Sequence, residues 1–251
     1  QNGQLMLEQV ALSALAREHG TPLFVYSRAA ILSALAAYQR GFAGRRAQIC
    51  YAMKANASLA ILRLRAEPGW GFDIVSAGEL ERALAAGATP SKIVFSGIGK
   101  TRQEMRRALE VGIGCFNVES LPELDVLSEV AQSCGQRAPV SIRVNPNVDA
   151  RTHPYISTGL KGNKFGIAHE QALAAYRHAA SLPGLRVAGI DCHIGSQITE
   201  VAPYLEAMDR VLDLVTAIEA AGIAIGHIDF GGGLGIDYRG ETPPAADALW
   251  A

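Results

Sequence analysis

Apolar and polar positions along this chain follow two periods in turn, and the change between them predicts its secondary structure. Short apolar runs with a period of two are followed by longer amphipathic segments with a period near 3.6. Strands alternating with helices favour a parallel sheet covered by helices. The predicted strands span residues 48–54, 71–75, 92–96, 114–118, 139–145, 186–193 and 226–230, and the predicted helices span residues 57–66, 77–86, 101–111, 120–133, 169–181 and 200–221.

The first 40 residues carry a pattern of their own. Residues 4–19 have helical periodicity that ends at Gly20, residues 21–26 are apolar and predict a strand, and residues 27–40 predict a second helix. If the strand at 21–26 joins the others, the eight strands close a (β/α)8 barrel of the TIM type, whereas seven strands leave it open. The residues alone leave both possibilities open.

Polar residues mark the starts of three predicted helices. Each start has a serine or threonine followed three residues later by a glutamate, which is the pattern of a capping box. The pairs are Ser76 with Glu79, Thr101 with Glu104 and Ser120 with Glu123, and Gly87 and Gly112 stand where helices should end.

Lys54 ends the first strand of the regular series. Cys50, Ala52 and Lys54 share one face of that strand, so we expect the stem of the lysine to be buried among small residues. Desolvation would favour the uncharged amine and make it a nucleophile toward an aldehyde. The alternative is a lysine at a strand end whose ammonium group stays in water.

Polar residues stand at the ends of most other strands. In a parallel barrel, function gathers at the carboxyl ends of the strands. The residues there are Lys54, Asp73, Ser96, Asn117, Arg143, His193 and the run 231–235. Asp73 is either a partner for Lys54 or a loop cap, and His193 either stacks on an aromatic cofactor ring or is a satisfied rim residue.

The run 231–235 contains three consecutive glycines directly after a strand, which would expose backbone N–H groups to a phosphate. It does not match the dinucleotide pattern G-x-G-x-x-G, because position 236 is isoleucine. A tight turn is the alternative interpretation. Ser196, three residues past His193, could add a hydroxyl group to the same anion.

Two other stretches need an interpretation. The run Gly99-Lys100-Thr101 is not a Walker A loop, because position 94 is valine where that loop needs glycine. Residues 151–166 form a long polar segment without either period, which is typical of a lid or a binding loop. A surface excursion is the alternative for that segment.

Composition narrows the function classes. The 251 residues carry 23 Lys and Arg against 24 Asp and Glu, a net charge of −1, so neither nucleic acid nor an anionic membrane is expected as a partner. Cys50, Cys115, Cys134 and Cys192 lie far apart, which fits reduced thiols rather than disulfides or a metal site. No signal peptide and no apolar run of membrane length is evident. These features predict a cytoplasmic protein.

Four motifs, in this order, resemble the fold-type III pyridoxal phosphate decarboxylases, the group that contains the diaminopimelate, ornithine and arginine decarboxylases. Residues 153–166 and 91–101 are similar to the bacterial diaminopimelate enzymes rather than to the ornithine enzyme. The four motifs are Tyr51-Ala-Met-Lys-Ala-Asn56, Gly71-Phe-Asp-Ile-Val-Ser76, His193-Ile-Gly-Ser-Gln197 and Gly231-Gly-Gly-Leu-Gly235.

This resemblance implies pyridoxal 5'-phosphate as the cofactor and an amino acid as the substrate. Lys54 matches the lysine that bonds covalently to the cofactor, and His193 matches the histidine that stacks on its ring; these are the two expected catalytic residues. Ser196, Gly232 and Gly233 match phosphate contacts. The implied reaction is decarboxylation of meso-diaminopimelate to L-lysine and carbon dioxide.

The resemblance also implies that Asp73 and Arg143 line the cofactor site. It places residues 1–26 with a second, C-terminal β domain, and makes residues 27–251 a barrel of seven strands that stops before its last one. The family's Glu-Pro-Gly-Arg stretch and the β-domain residues that complete the site across a homodimer do not occur in the sequence. We therefore expect the chain alone to be a defective enzyme.

Three alternatives stay open. One is a barrel that binds pyridoxal phosphate without catalysing decarboxylation, as a carrier or homeostasis protein. A second is a decarboxylase for another basic amino acid. A racemase of the alanine type shares the barrel and the lysine, but it needs a second acid and base on the opposite cofactor face, and the sequence offers no clear candidate.

Overall fold

The computed structural model describes residues 3–150, 158, 165–238 and 240–250. The chain divides into two compact units, one formed by Gln1–Arg46 with Ala245–Ala251 and the other by Ala47–Pro244. The predicted division after residue 26 falls inside the first unit. Two short 3-10 turns, Met53–Ala55 and Pro90–Lys92, accompany the strands and helices.

The strands of the described residues are β1 (Met6–Leu7), β2 (Val10–Ala11), β3 (Cys50–Ala52), β4 (Gly71–Ile74), β5 (Ile93–Phe95), β6 (Cys115–Val118), β7 (Ala138–Asn145), β8 (Ile167–Ala168), β9 (Leu185–Asp191) and β10 (His227–Asp229). The helices are α1 (Leu12–His19), α2 (Arg28–Gly41), α3 (Leu59–Ala66), α4 (Ala77–Ala85), α5 (Arg102–Val111), α6 (Leu121–Ser133), α7 (His169–Ser181), α8 (Ala202–Ala220) and α9 (Ala246–Leu249).

The first unit contains a small hairpin and three helices. Strands β1 and β2 pair antiparallel, so the single helix predicted over residues 4–19 is wrong in its first half, and α1 begins only at Leu12. The carboxylate of Glu8, in the hairpin turn, accepts hydrogen bonds from the Ser27 hydroxyl at 2.6 Å and the Ala29 N–H at 2.8 Å. These contacts hold the hairpin against the start of α2.

The strand predicted at residues 21–26 is not formed within the chain. These residues have no strand partner in the described part of the molecule, and Phe24 is 85% exposed. An alternating apolar pattern becomes a strand only where a neighbouring backbone supplies the ladder of hydrogen bonds. Its pairing with a separate β domain stays a prediction.

The second unit is an α/β structure built on a parallel sheet. Seven strands follow the order β10-β9-β7-β6-β5-β4-β3, and the short strand β8 pairs beside β7. Each pair is parallel, and helices connect most neighbours. Strands β3 and β10 stand at the two ends of this path and do not pair with each other in the described part. The prediction of a parallel (β/α) barrel sheet that stays open at seven strands is confirmed.

The two faces of this sheet differ in chemistry. Alternate positions on the strands, such as Phe72, Phe95, Phe116 and Ile142, are fully buried in the apolar layer that the helices share. The positions between them carry small and polar residues, including those predicted for the site. Because side chains alternate between faces along a strand, the apolar layer fixes which residues reach the opposite face.

The predicted helix starts are confirmed. The hydroxyl groups of Ser76, Thr101 and Ser120 accept hydrogen bonds from backbone N–H groups three residues on, and Thr101 with Glu104 forms a complete capping box. At the end of α5, Gly112 has a left-handed backbone with φ of 74°, which a glycine adopts without strain.

Lys100 has a structural role inside the protein. Its fully buried ammonium group donates hydrogen bonds of 2.7 Å to the carbonyl oxygens of Gly97 and Asn117 and to the Glu123 carboxylate. All three donors of the ammonium group are therefore used within the protein. This agrees with the prediction that the run Gly99-Lys100-Thr101 does not bind a nucleotide phosphate.

Two further predictions concern particular segments. Most of the predicted binding loop at 151–166 lies outside the described residues; only 158, 165 and 166 belong to them. Within the part of the chain that the structure describes, every helix is too short or too polar to span a lipid bilayer.

Candidate functional site

The predicted site residues meet along the carboxyl ends of the parallel strands, on the face opposite the helices. Ala52 on β3 lies in register with Asp73 on β4, and Asp191 on β9 lies in register with both Arg143 on β7 and Asp229 on β10. Registered neighbours on a parallel sheet project to the same side. The pairing therefore brings one arginine and three carboxyl groups onto a single surface, and Lys54 follows two residues after Ala52.

Lys54 lies just beyond the end of its strand. The chain leaves β3 at Ala52 and enters the turn Met53–Ala55, in which Met53 is buried and Lys54 is exposed. The expectation that small neighbours would bury the stem of Lys54 is wrong, because the lysine stands past the last paired residue rather than within the strand. The charge of Lys54 still acts on two site residues, Asp73 and His193.

Asp73 is a carboxyl group that burial keeps from ionising easily. Desolvation raises its pKa to about 6, against the opposing effect of a hydrogen bond from Ser96. Its Oδ1 atom is enclosed and has no hydrogen-bond partner among the described residues. The Oδ1 atom of Asn117 is enclosed without a partner in the same way. These two buried acceptors keep a hydrogen-bonding capacity that the described residues do not use.

Asn117 connects neighbouring parts of the site. Its Nδ2 atom donates hydrogen bonds of 3.3 Å to the Ser96 hydroxyl and to the Oδ2 atom of Asp229. Asp191 is 5% exposed, and burial together with the nearby Asp229 raises its pKa well above the ordinary value. Burial and a neighbouring carboxylate both favour the protonated form of a carboxyl group.

Arg143 is held by a carboxylate that the sequence did not single out. The Nη1 atom of Arg143 donates to Oε1 of Glu119 at 2.9 Å, and the N–H of Gly166 donates to Oε2 of the same carboxylate at 2.9 Å. The Arg143 guanidinium also lies 5.1 Å from the ring centre of Phe165. Glu119 thereby holds both the Arg143 side chain and the backbone at Gly166.

His193 is uncharged. Burial lowers its pKa to about 3, and the positive charges of Arg143 and Lys54 act in the same direction. The Nδ1 atom accepts a hydrogen bond of 3.3 Å from the Gly232 N–H, which places the single ring hydrogen on Nε2. The His193 carbonyl oxygen accepts a bond of 2.6 Å from the Thr158 hydroxyl. The imidazole is therefore a fixed, neutral, flat group.

The glycine run after β10 is packed against the segment that follows β9. Its first two N–H groups are used within the chain, because Gly231 donates to Asp229 at 2.8 Å and Gly232 donates to His193. The expectation that all three N–H groups are exposed is wrong for these two. The N–H of Gly233 has no partner among the described residues, and φ at Gly233 is +99°. A Cβ atom there would lie 1.9 Å from the Gly195 carbonyl oxygen, so only glycine fits.

A cavity of about 360 Å³ lies beside these residues rather than among them. It is bounded by Glu119, Asn145 and Gly166 and by the start of α7, and it does not include Lys54. The residues predicted for chemistry instead line the open face of the sheet.

The cysteines are free thiols. Burial raises the pKa of Cys50 and Cys115 to about 12, and it raises the pKa of Cys192 as well, so these thiols are poor nucleophiles at neutral pH. No group of three or more possible metal ligands occurs among the residues that the structure describes.

Comparison with known proteins decides the family. The family model described as "Pyridoxal-dependent decarboxylase, pyridoxal binding domain" matches residues 28–249. The chain belongs to this family. The four motifs and the position of Lys54 beyond the first strand of the parallel sheet are thus features of a pyridoxal-binding decarboxylase domain.

Two curated relatives of this decarboxylase domain are named diaminopimelate decarboxylase. The protein from Pseudomonas aeruginosa is 58% identical over 245 residues, which cover 98% of this chain and 59% of the relative. The protein from Vibrio cholerae is 57% identical over 244 residues, covering 97% of this chain and 58% of the relative. The chain thus spans less than two thirds of the length of these proteins.

Solved structures give the same fold for the domain. Diaminopimelate decarboxylase from Helicobacter pylori, solved with L-lysine, has a TM-score of 0.92 at 43% identity, over 95% of this chain and 61% of that one. Lysine decarboxylase from Selenomonas ruminantium has a TM-score of 0.85 at 26% identity, over 98% of this chain and 61% of that one.

Sequence analysis missed three residues of this surface: Glu119, Asp191 and Asp229. Asp191 and Asp229 lie inside apolar strand runs. The alternation of side chains along those strands already indicates that both carboxyl groups point to the face that carries the site. Glu119 stands directly before the capping serine of α6, and nothing in its local pattern indicates a contact with Arg143.

Proposed function

We propose that this chain is the cofactor-holding part of a pyridoxal phosphate-dependent decarboxylase that converts meso-diaminopimelate to L-lysine and carbon dioxide. One observation carries the proposal. The Lys54 amine, the buried acceptors of Asp73 and Asn117, the neutral imidazole of His193 and the Gly233 N–H all belong to one end of the same sheet face. The curated relatives named diaminopimelate decarboxylase support the choice of substrate.

The residues present fit pyridoxal phosphate. Lys54 would bond to the cofactor carbonyl carbon, and the flat ring of His193 would lie against the cofactor ring. The Gly233 N–H and the Ser196 hydroxyl would hold the phosphate group, and Gly232 would join them only after its N–H leaves the His193 Nδ1 atom. The close approach of Gly233 to the Gly195 carbonyl oxygen leaves no room for a Cβ atom, so glycine at position 233 allows these two segments to pack together.

Asp73 and Arg143 would line the site with opposite electrostatic roles. A carboxyl group with a pKa of about 6 can take up and return a proton near neutral pH, and the charge of Lys54 acts on Asp73. Arg143 supplies a fixed positive charge that Glu119 orients. When it is bound, pyridoxal phosphate supplies an electron sink for the electron pair left behind as the substrate carboxylate departs.

Reduction with borohydride after incubation with pyridoxal phosphate tests the cofactor assignment. Peptide mass mapping should find a pyridoxyl group on Lys54 and none on the half-buried Lys92 or on a Lys54→Ala variant. Labelling spread over several lysines, with none at Lys54, would contradict the assignment.

Release of carbon dioxide from a substrate panel tests the reaction. The panel contains meso-diaminopimelate, lysine, ornithine and arginine, and it is applied to this chain and to a protein of the relatives' full length. Release from meso-diaminopimelate alone supports the proposal. Release from another basic amino acid would favour the second alternative, and cofactor binding without any release would favour the non-catalytic barrel. That this chain alone turns over little substrate stays a prediction, which the same assay measures.

The proposal extends to assembly and location. We propose a homodimer for the protein of the relatives' full length, testable by light scattering after size-exclusion chromatography. A cytoplasmic location is supported by the four free cysteines, which fit a reducing compartment. Cell fractionation with a tagged protein tests the location.

A further inference from the structure

Gln197 joins the two segments that carry the proposed phosphate contacts. Its Oε1 atom accepts a hydrogen bond of 3.0 Å from the Ile236 N–H, and its Nε2 atom donates to the Ile236 carbonyl oxygen. The side-chain amide thus bonds both backbone groups of one residue, as a neighbouring strand would. Gln197 is half-buried, directly after Ser196, and Ile236 stands three residues after Gly233.

Backbone hydrogen bonds continue the same connection. The Ile198 N–H donates to the Gly233 carbonyl oxygen at 2.8 Å, and the Gly235 N–H donates to the Ile198 carbonyl oxygen at 2.9 Å. Ile198 and Leu234 form a parallel bridge. The segment after β9 and the segment after β10 therefore behave as one short parallel ribbon, with Gln197 and Ile236 beside the bridge.

The backbone of Gln197 has a conformation that its own side chain disfavours. Its φ is +57°, in the left-handed region that glycine adopts easily and residues with a Cβ atom adopt rarely. Such conformations persist when surrounding contacts compensate for them, and they concentrate at binding sites. The paired bonds to Ile236 are the contacts that compensate here.

We propose that Gln197 is a positioning residue for phosphate recognition, and this inference rests on the proposed function. By tying Ile236 to the residue after Ser196, it fixes the separation between the Ser196 hydroxyl and the Gly233 N–H before a ligand binds. A site organised in advance loses less conformational freedom on binding. Gln197 itself contacts the neighbouring backbone, and its effect reaches the phosphate only through these two groups.

The test compares two ligands that share the ring and the aldehyde but differ in the phosphate group. Pyridoxal phosphate and pyridoxal are each titrated into the unsubstituted protein and into Gln197→Ala, and binding is followed by absorbance. For each ligand, the affinity of the variant is compared with the affinity of the unsubstituted protein for that same ligand. The loss of two hydrogen bonds should weaken pyridoxal phosphate about tenfold or more and leave pyridoxal within about twofold.

Two further variants make the outcome unambiguous. Gln197→Gly removes the side-chain bonds but suits a φ of +57°, so it should fold readily and show the same selective loss. Gln136→Ala, at an exposed glutamine at the opposite end of the strands, should bind both ligands as the unsubstituted protein does.

Equal loss of affinity for both ligands in Gln197→Ala and Gln197→Gly would overturn this inference but leave the proposed function standing. The same holds if neither ligand loses affinity. Failure of the unsubstituted protein to bind pyridoxal phosphate would overturn the proposed function and this inference together. Selective loss of pyridoxal phosphate in both variants supports the positioning role.

Discussion

The Glu119 carboxylate accepts a hydrogen bond of 2.9 Å from the Arg143 guanidinium, and the two side chains are only 2% and 13% exposed. Asp191, in register with Arg143 on the next strand, is the competing partner. Burial, and after it the nearby Asp229, raises the pKa of Asp191 well above its ordinary value against the opposing charge of Arg143, and it is Glu119 that pairs with the arginine. The charge of Arg143 is thereby kept at the strand end, where the cofactor is proposed to bind.

Removal of Glu119 should destabilise the protein strongly. We expect Glu119→Ala to lower the free energy of unfolding by about 3–5 kcal/mol, because it leaves the Arg143 charge buried and unpaired. Glu119→Gln should cost less, since its amide oxygen can still accept a hydrogen bond. Urea denaturation followed by circular dichroism measures both variants. The control is Glu129→Ala, which breaks an exposed pair with Arg102 and should cost less than about 1 kcal/mol. Similar costs at the two glutamates would contradict the structure.

The glycine run should tolerate alanine at one position and not at the next. At Gly233, φ is +99° and a Cβ atom would lie 1.9 Å from the Gly195 carbonyl oxygen, whereas a Cβ atom at Gly232 meets nothing within 4 Å. We therefore expect Gly233→Ala to abolish labelling of Lys54 by pyridoxal phosphate and borohydride. Gly232→Ala should keep most of the labelling. Equal labelling of the two variants would show that the close approach of the two segments is not needed.

Asp73 should make stability depend on pH in a defined direction. Its pKa is raised to about 6 from the ordinary value of 3.8, so the folded state binds the proton more tightly than the unfolded state does. The resulting stability is fully present below about pH 4 and is lost as pH rises through about 6. The difference between these two pKa values corresponds to about 3 kcal/mol.

The measurement for Asp73 is urea denaturation between about pH 4 and about pH 7, a range set by these pKa values. Between these limits the stability of the unsubstituted protein should fall relative to that of Asp73→Asn, which cannot titrate at this position. A constant difference between the two proteins across the range would contradict the raised pKa.

Gly189 and His227 should be energetically coupled. His227 lies over Gly189 and reaches the Ser141 hydroxyl at 3.2 Å, and a Cβ atom at position 189 would stand 2.4 Å from the His227 Nε2 atom. Gly189→Ala should therefore cost about 1–3 kcal/mol through overpacking. In a His227→Ala background the same change should cost at least about 0.5 kcal/mol less. Denaturation of the four proteins of this cycle measures the coupling, and strict additivity would contradict the contact.

Much of the second unit could be predicted because its strands and helices have the periods that their burial requires. The apolar run that contains Phe116 is confirmed as a strand, and the capping pattern at Thr101 is confirmed as a helix start. The predictions failed where a partner outside the segment decides the structure. Residues 21–26 have no ladder partner among the residues that the structure describes, and the helix predicted from residue 4 gives way to a hairpin that pairs with itself.

The site could be predicted in part. Lys54, Asp73, Arg143 and His193 stand at or just beyond strand ends, so a parallel sheet gathers them without further information. The exposure of Lys54 depends on where β3 ends, which the alternating pattern does not define. The partnership of Arg143 with Glu119 joins positions 24 residues apart, and only the packed structure reveals it. The cofactor roles given to these residues stay predictions.

The two chemically different faces of the sheet also protect it against mispairing. A shift of one strand by a single residue would exchange its faces, moving Asp73 or Arg143 into the helix-covered layer and Phe72 or Ile142 out of it. Each such slip would bury a charge without a partner and expose an aromatic or aliphatic side chain. The residues proposed for chemistry therefore also act as register markers, and replacing several of them by apolar residues would make wrong alignments competitive during folding.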